Sequence, residues 1–381
     1  MSASSMGRAW AEISASALGA NVRALTSVLG TTSLCGVVKA NGYGHGAVIV
    51  ARTILDAGAT SLAVATVQEG RELREAGVNA PILLLAEIPS ASLNDAMTQS
   101  LTLTVGSLEG ALALAHAAER LGGVHPVHLK VDTGMHRMGV APVEVSDVLD
   151  VLLACDELDV EGIYTHLSVA DGDRDEDRRF TRHQIDTFDE VLADLDDARR
   201  PRVVHLANSA GALGYPDARR DLARVGLALY GYLPGAWLGD VLAEHGISLT
   251  PALTLRAKVV ATRRVKAGER PSYGRRRALV RDANVVTVPL GYADGFARRL
   301  FDADAQVLIG GRRHPLAGVV TMDQIVVDVG DDEVAVGDDV VLLGAQGDEC
   351  ISADEWATRA QTISWERLCA LSARVARVLV D

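Results

Sequence analysis

Eight short apolar runs, each followed by an amphipathic or alanine-rich segment, succeed one another between about residues 30 and 230. They are LCGVVKA at 34–40, LAVAT at 62–66, ILLLA at 82–86, LTLTV at 101–105, VHLKVD at 127–132, VEGIYTH at 160–166, VVHLA at 203–207 and ARVGLALYG at 223–231. Near-continuous apolar character marks strands buried on both faces, as in a parallel sheet covered by helices. The segments between them carry helix signals. GAVIVARTILDAG (46–58) has apolar residues at helical spacing, and VQEGRELREAG (67–77) ends on Gly77, a C-cap. SLEGALALAHAAERLG (107–122) runs from a capping serine to a glycine, and 174–200 reads as one long charged helix. Eight such units over about 200 residues indicate a (β/α)8 barrel. An open doubly wound sheet is the alternative, and the regularity of the units favours closure.

After about residue 235 the pattern changes. LTLRAKVVATRRV, NVVTVPLGYADG, AQVLIGG, AGVVTMDQIVVDVG and DDVVLLG are strand-like runs joined by Gly/Asp turns with no helix between them. Two helical pieces, near 353–360 and 364–378, close the chain. The expected fold class is therefore α/β: an N-terminal (β/α)8 TIM-like barrel over residues 10–240 and a C-terminal, mostly β domain over 241–381. Residues 1–14 are expected to pack with the second domain.

The chain has 381 residues, which leaves room for two cores. Its net charge of -13, with no basic face to oppose it, argues against nucleic acid or an anionic membrane as a partner. No apolar run is long enough to span a bilayer. The opening MSASSMGRAWAEIS lacks a hydrophobic signal core, so the expected location is the cytoplasm. Cys35, Cys155, Cys350 and Cys369 lack metal or redox spacing and read as reduced thiols. No metal is expected.

In a barrel of this kind the chemistry sits at the C-terminal strand ends. The first run ends at Lys39, followed by Tyr43. The fifth brings Lys130 and Asp132, then Arg137; the sixth His166; the seventh Asn208 and Ser209; the eighth Arg224, Gly226 and Tyr230. A buried, unpaired lysine is costly when charged, and burial lowers its pKa, which makes it a nucleophile for an aldehyde. The aldehyde could belong to a sugar or to pyridoxal phosphate. NSAG (208–211) opening a helix and the N–H groups of Gly226 and Leu227 suit a phosphate. The alternative for Lys39 is a plain structural role, solvated or paired with Asp132.

VVKANGYGHGA (37–47) resembles the pyridoxal-phosphate attachment segment of the alanine racemase family. KVDTGMHRMG (130–139), THLSVAD (165–171), HLANSAG (205–211), ARVGLALYG (223–231), SYG (272–274), PLGYADG (289–295) and TMDQ (321–324) resemble further family segments in the same order. One VKAN is shared with related barrel decarboxylases; eight ordered matches across nearly the whole chain carry the resemblance.

The resemblance implies a pyridoxal 5'-phosphate enzyme that interconverts L- and D-alanine with two opposed bases. One is Lys39, which also holds the cofactor covalently. The other is Tyr273, contributed by the partner subunit of a homodimer. His166 and Arg224 would form the network that lets Tyr273 act as a base, and Arg224 would face the pyridine nitrogen and keep it unprotonated. Tyr43, Ser209, Gly226, Leu227 and Trp365 would bind the phosphate. Arg137 and the backbone of Met322 would hold the substrate carboxylate, with Tyr292 and Asp323 lining the partner's side. Lys130 matches a lysine that is often carbamylated. D-Alanine would feed peptidoglycan.

Three positions depart from the family pattern. Trp365 stands where tyrosine is usual, Thr321 where cysteine is common, and Val319 where an entrance arginine is common. They leave open a broader amino-acid racemase. A basic-amino-acid decarboxylase, a non-enzymatic cofactor carrier and a Schiff-base aldolase are the other readings; YGHG, the Tyr273 segment and the β domain weigh against the first two.

Overall fold

The computed structural model describes residues 8–381. The chain divides into two compact units. One holds Ser16–Gly42 and Ala47–Thr250; the other holds the described residues up to Ala15, Tyr43–Gly46 and Pro251–Asp381. The division at Thr250 comes ten residues after the sequence boundary at 240. The helix Leu238–Glu244 still packs on the helix Ser209–Gly214, and Asn21 bonds the backbone of Thr250 through both its Oδ1 and its Nδ2.

After β1 (Ala9–Ser14) come eight parallel strands: β2 (Ser33–Val37), β3 (Ser61–Val64), β4 (Ile82–Leu84), β5 (Leu103–Val105), β6 (His125–Lys130), β7 (Leu158–Tyr164), β8 (Val203–His205) and β9 (Leu222–Val225). They form the rows β4-β3-β2-β9 and β5-β6-β7-β8. The bridge Leu83–Thr102 joins β4 to the approach to β5. N–H groups of Asp221 and Arg224 donate to Val204 and Ala207 (3.1 and 2.9 Å), joining β9 to β8. The ring is closed, so the barrel replaces the open-sheet alternative.

Helices cover the barrel. Gly36 on β2 is needed for this: a Cβ there would meet Ile54 Cδ1, on the helix Ala47–Asp56, at 2.2 Å. The helix Val67–Glu75 starts with a Thr66–Glu69 capping box and stops before Gly77 at φ +83°. The expected 174–200 helix is shorter, Asp175–Ala193; the chain then turns, with the Arg199 N–H on Asp196 Oδ1 at 3.0 Å. The helix Ala15–Leu29 was not anticipated. Neither was the extent of the eighth run: β9 ends at Val225, and Leu227–Tyr230 is a 3-10 turn whose Tyr230 hydroxyl donates to the Val37 carbonyl (2.9 Å).

In the β unit, β10 (Leu253–Lys258), β11 (Ala261–Val265), β12 (Ala283–Val288), β13 (Gln306–Ile309), β14 (Arg312–Pro315), β15 (Ile325–Gly330), β16 (Asp339–Gln346), β17 (Glu349–Ile351) and β18 (Ala376–Val380) follow. They form the order β14-β13-β16-β10-β1-β18, with β17 on β16, and a three-stranded sheet β11-β12-β15. Of the expected packing of residues 1–14, residues 1–7 lie outside the described residues. β1 pairs antiparallel with β10 and parallel with β18. That second pairing corrects the helix expected over 364–378: the helix Ser364–Cys369 is short, and 376–380 is a strand because β1 offers it a partner. The β13–β14 hairpin was also missed, although Gly310-Gly311, at φ +60° and +75°, is a hairpin signal.

Tyr43–Gly46 is fastened to this unit. Arg377 Nε donates to the Gly44 carbonyl at 2.8 Å. A Cβ on Gly44 (φ +80°) would stand 2.1 Å from the Leu368 carbonyl oxygen. Gly44→Ala should therefore lower stability by about 1–3 kcal/mol, seen as a lower denaturation midpoint. An unchanged midpoint would refute the close approach.

Among the described residues no helix is long and apolar enough to cross a membrane.

Candidate active site

Lys39 does not end a strand. β2 stops at Val37, and the backbone after Lys39 turns left-handed at Ala40, Asn41, Gly42 and Tyr43, with φ between +50° and +60°. The Gly42 N–H closes the turn on the Val38 carbonyl (2.8 Å). Left-handed geometry costs about 1–2 kcal/mol for each non-glycine residue. Side chains offset it. Glu69 Oε1 accepts the Ala40 N–H (2.7 Å), and Asn41 Oδ1 accepts the Ala47 N–H (2.9 Å) where the next helix begins. The turn leaves Lys39 half-buried beyond the strand end.

Lys130, at the end of β6, is 5% exposed. No carboxylate of the described residues pairs with it. Asp132 instead accepts the N–H groups of Gly134 and His136, both at 3.0 Å, and pins the loop that carries Arg137. Burial, Arg224, Arg137 and Lys39 bring the Lys130 amine down to about 8, against the pull of Asp132. His166 is held well below its ordinary value by burial and by Arg224, Lys130, Arg137 and Lys39. Lys130 ends β6, His166 follows β7 and bonds Arg224 on β9, and Lys39 and Arg137 lie on the segments that follow β2 and β6, so all five stand at the C-terminal mouth of the barrel.

The depressed Lys130 amine has a stability consequence. Below about 8 both folded and unfolded states carry the proton; between about 8 and 10.5 only the unfolded state does. Where the unfolded state binds more protons, stability rises with pH. In CO2-free buffer the wild type should gain stability relative to Lys130→Met over that window. Parallel denaturation midpoints across it would refute the assignment.

Arg224 is 3% exposed. One terminal nitrogen donates to His205 Nδ1 (2.7 Å) and to the His205 carbonyl; the other donates to the Thr165 and Leu206 carbonyls and to His166 Nδ1 (3.2 Å). All these acceptors are neutral, and Nε has no acceptor among the described residues. The guanidinium lies 4.9 Å over the Tyr164 ring, which stacks on His205 at 4.6 Å and 9°. Thr104 Oγ1 bonds the Tyr164 hydroxyl across β6 at 2.9 Å, and burial pushes that phenol up to about 12. Bonds that skip a strand are possible only inside the ring, so the interior is polar at this level. The nearly apolar reading of the runs missed this layer of Thr104, His128, Tyr164 and His205.

Ser209 opens the helix capped by Asn208, and its Oγ accepts the Gly226 N–H at 2.8 Å. The serine proton and the N–H of Leu227, at the start of its 3-10 turn, point to an anion site. The Gly226 N–H, expected to serve a phosphate directly, is engaged with Ser209.

The β unit carries the remaining candidates. Tyr43 is buried, which pushes its phenol above the ordinary range, and Cys369 adds to the shift. Trp365 is half-buried on the helix Ser364–Cys369. Tyr273 is 73% exposed on a 3-10 turn flanked by Ser272 at φ +68° and Gly274 at φ +71°. Tyr292 and Met322 are exposed on two loops laid against each other: the N–H groups of Tyr292 and Ala293 bond the carbonyls of Thr321 and Met322 at 3.0 and 3.1 Å. Asp323 bonds Arg374 at 2.6 Å. Two of the three departures have structural roles. Val319 is 1% exposed, and the Thr321 hydroxyl donates to the Gln324 carbonyl at 2.8 Å.

The comparisons with known proteins agree with this architecture. The alanine racemase N-terminal domain family matches residues 13–234, and the alanine racemase C-terminal domain family matches 252–379. The alanine racemase of Symbiobacterium thermophilum is 44% identical over 373 residues, covering 97% of this chain and 96% of its own. The crystal structure of alanine racemase from E. faecalis superposes with a TM-score of 0.90 at 37% identity, covering 98% of this chain and 100% of that one. That from Bacillus anthracis with bound L-Ala-P gives 0.89 at 35% identity, covering 98% and 95%. The chain belongs to the alanine racemase family of isomerases.

Proposed function

We propose that the chain interconverts L- and D-alanine with pyridoxal 5'-phosphate as cofactor. The observation that carries the reading is the barrel mouth: four cationic side chains around a neutral His166, with a buried Arg224 that meets no carboxylate. This set fits the cofactor. Ser209 and the Leu227 N–H suit its phosphate, Lys39 its aldehyde, and the Arg224 Nε–H, which has no acceptor among the described residues, its ring nitrogen. A guanidinium cannot accept a proton, so Arg224 would leave that nitrogen unprotonated. Tyr43 and Trp365 are the further phosphate ligands that the family resemblance supplies, while Gly226, whose N–H is held by Ser209 Oγ, orients that serine.

When bound, the cofactor supplies the conjugated electron sink that acidifies the substrate Cα–H. Lys39 Nζ then holds or delivers the proton on one face of Cα. The partner subunit's Tyr273 hydroxyl does so on the other face, in a homodimer with shared sites. The exposure of Tyr273, Tyr292 and Met322 in one protomer supports that arrangement. His166 is held neutral and its Nδ1 accepts from Arg224, so its proton lies on Nε2 and can be donated to the tyrosine oxygen, which favours the phenolate form of the base. Arg137, with the partner's Met322 backbone, holds the substrate carboxylate, while Tyr292 and Asp323 line the partner's side. Lys130, whose amine is partly neutral near pH 8, is suited to add CO2: Nζ attacks the carbon, loses one proton to solvent, and becomes a carbamate anion beside Arg137. The product would feed peptidoglycan from the cytoplasm.

The test is purified protein with added cofactor and a chiral amino-acid assay. D-Alanine should form from L-alanine; none would sink the reading. Serine and lysine run alongside measure breadth, the question raised by Trp365, Val319 and Thr321. Carbamylation is checked by ¹³CO2 labelling, where a carbamate carbon signal absent from Lys130→Met is expected.

A further inference from the structure

β6 and β7 are not in simple register. Val127 pairs with Val160, but His128 pairs with Gly162, which leaves Glu161 as the extra residue of a β-bulge. A bulge re-aims a side chain, and here Glu161 Oε2 comes to 3.7 Å from His128 Nε2, a carboxylate otherwise held by Arg202. Gly162 supplies the clearance: a Cβ there would stand 2.6 Å from His128 Nδ1. Across that gap His128 Nδ1 bonds His205 Nε2 at 2.8 Å, and His205 Nδ1 bonds Arg224 at 2.7 Å. Glu161, His128, His205 and Arg224 thus form one row inside the barrel, ending at the mouth.

The protons in this row have one consistent arrangement. Arg224 can only donate, so His205 Nδ1 must present its lone pair. His205 then carries its proton on Nε2 and donates to His128 Nδ1. His128 in turn carries its proton on Nε2, facing Glu161. Burial, Arg224 and His128 hold His205 well below its ordinary value, in keeping with a neutral ring.

We propose that His128 and His205, anchored by Glu161 on its bulge, are positioning residues that hold Arg224 as a donor into the barrel mouth. Arg224 has no carboxylate partner, so its orientation depends on neutral acceptors. His205 Nδ1 is the only side-chain acceptor it has inside the barrel besides His166 among the described residues. Removing the acceptor behind His205 leaves a buried N–H unsatisfied, which frees the ring to change tautomer and deprive Arg224 of its bond. The Gly162 clearance and the bulge have no purpose in simple strand pairing, and both serve the His128–His205 contact.

The kinetic arm rests on the proposed cofactor reading; the first arm does not. Histidine ¹⁵N NMR of the full-length, cofactor-free protein should show His128 and His205 neutral with the proton on Nε2. His128→Leu keeps volume and removes the acceptor; His205 should then lose its single Nε2–H tautomer. In the loaded enzyme kcat should fall about tenfold to hundredfold with KM little changed. His128→Asn places Oδ1 where Nδ1 was and should restore the His205 tautomer and most of kcat. Should His128→Leu not fold, Gly162→Ala displaces the same ring and should give the same tautomer loss. A charged or Nδ1–H His205 in the wild type would overturn the proposal. So would equal tautomer and kcat in His128→Leu and His128→Asn. Failure to bind pyridoxal phosphate, with the tautomers as expected, would count against the proposed function and leave the row standing.

Discussion

Lys39→Ala protein is expected to fold, to dimerise and to produce no measurable D-alanine from L-alanine. The lysine has two tasks in the proposed mechanism, and alanine can perform neither. Loss of the general base alone is worth about 10²–10⁴-fold, and loss of covalent cofactor attachment adds to it. The fold should survive because Lys39 is half-buried beyond β2, while the bonds that hold its turn come from Glu69 and Asn41. Removing one of four neighbouring cations also relieves repulsion. The measurements are the chiral assay, the visible spectrum after borohydride treatment and the denaturation midpoint. Wild-type cofactor should become irreversibly attached on reduction; cofactor with the variant should dialyse away. Retained turnover, or attachment at another lysine, would refute the role given to Lys39.

Tyr273→Phe should abolish racemisation by about 10²–10⁴-fold but leave half of the chemistry visible. With one base gone, Lys39 can still remove and return the proton on its own face. Cα–H exchange with solvent deuterium should therefore persist for one enantiomer and vanish for the other. Exchange lost equally from both would count against two opposed bases. The same variant tests the subunit assignment. Mixed and re-equilibrated Lys39→Ala and Tyr273→Phe protomers give hybrids in which one site carries both substitutions and the other carries neither. About a quarter of the wild-type activity should return if association is random. If Tyr273 acted within its own chain, every site in the mixture would stay defective and nothing would return. The exposure of Tyr273 in the protomer makes recovery the expected result.

The barrel and the β domain were legible because period and spacing carry them. A strand buried on both faces must be apolar nearly throughout, and eight such runs with capped helices between them leave few topologies. What escaped depended on contacts between distant residues. The strand Ala376–Val380 was read as helix, since its short segment becomes a strand only through pairing with β1. Lys39 was read as a strand terminus, whereas the glycine-rich segment forms a left-handed turn that also includes Ala40 and Asn41. Gly42 advertised that turn; nothing local announced that three non-glycine residues, Ala40, Asn41 and Tyr43, would share it. The burial of Val319 and the bond from the Thr321 hydroxyl to the Gln324 carbonyl could not be read from the sequence either, because both depend on the packing of the β unit.

The polar barrel interior is the clearest case. His128, Tyr164 and His205 each stand in an apolar run, where a single polar residue reads as an outward-facing side chain. A one-residue bulge on β7 and the missing side chain of Gly162 bring them into line with Arg224. By itself the sequence determined the family and the two-domain build and named the candidate residues, because these follow from residue type, order and period. Only the tertiary structure decided which groups share one barrel mouth, which nitrogens of its histidines face a guanidinium, and that Arg224 is buried with no carboxylate partner among the described residues. Those depend on strand register and ring closure, which bring together side chains as far apart in the chain as Lys39 and Arg224.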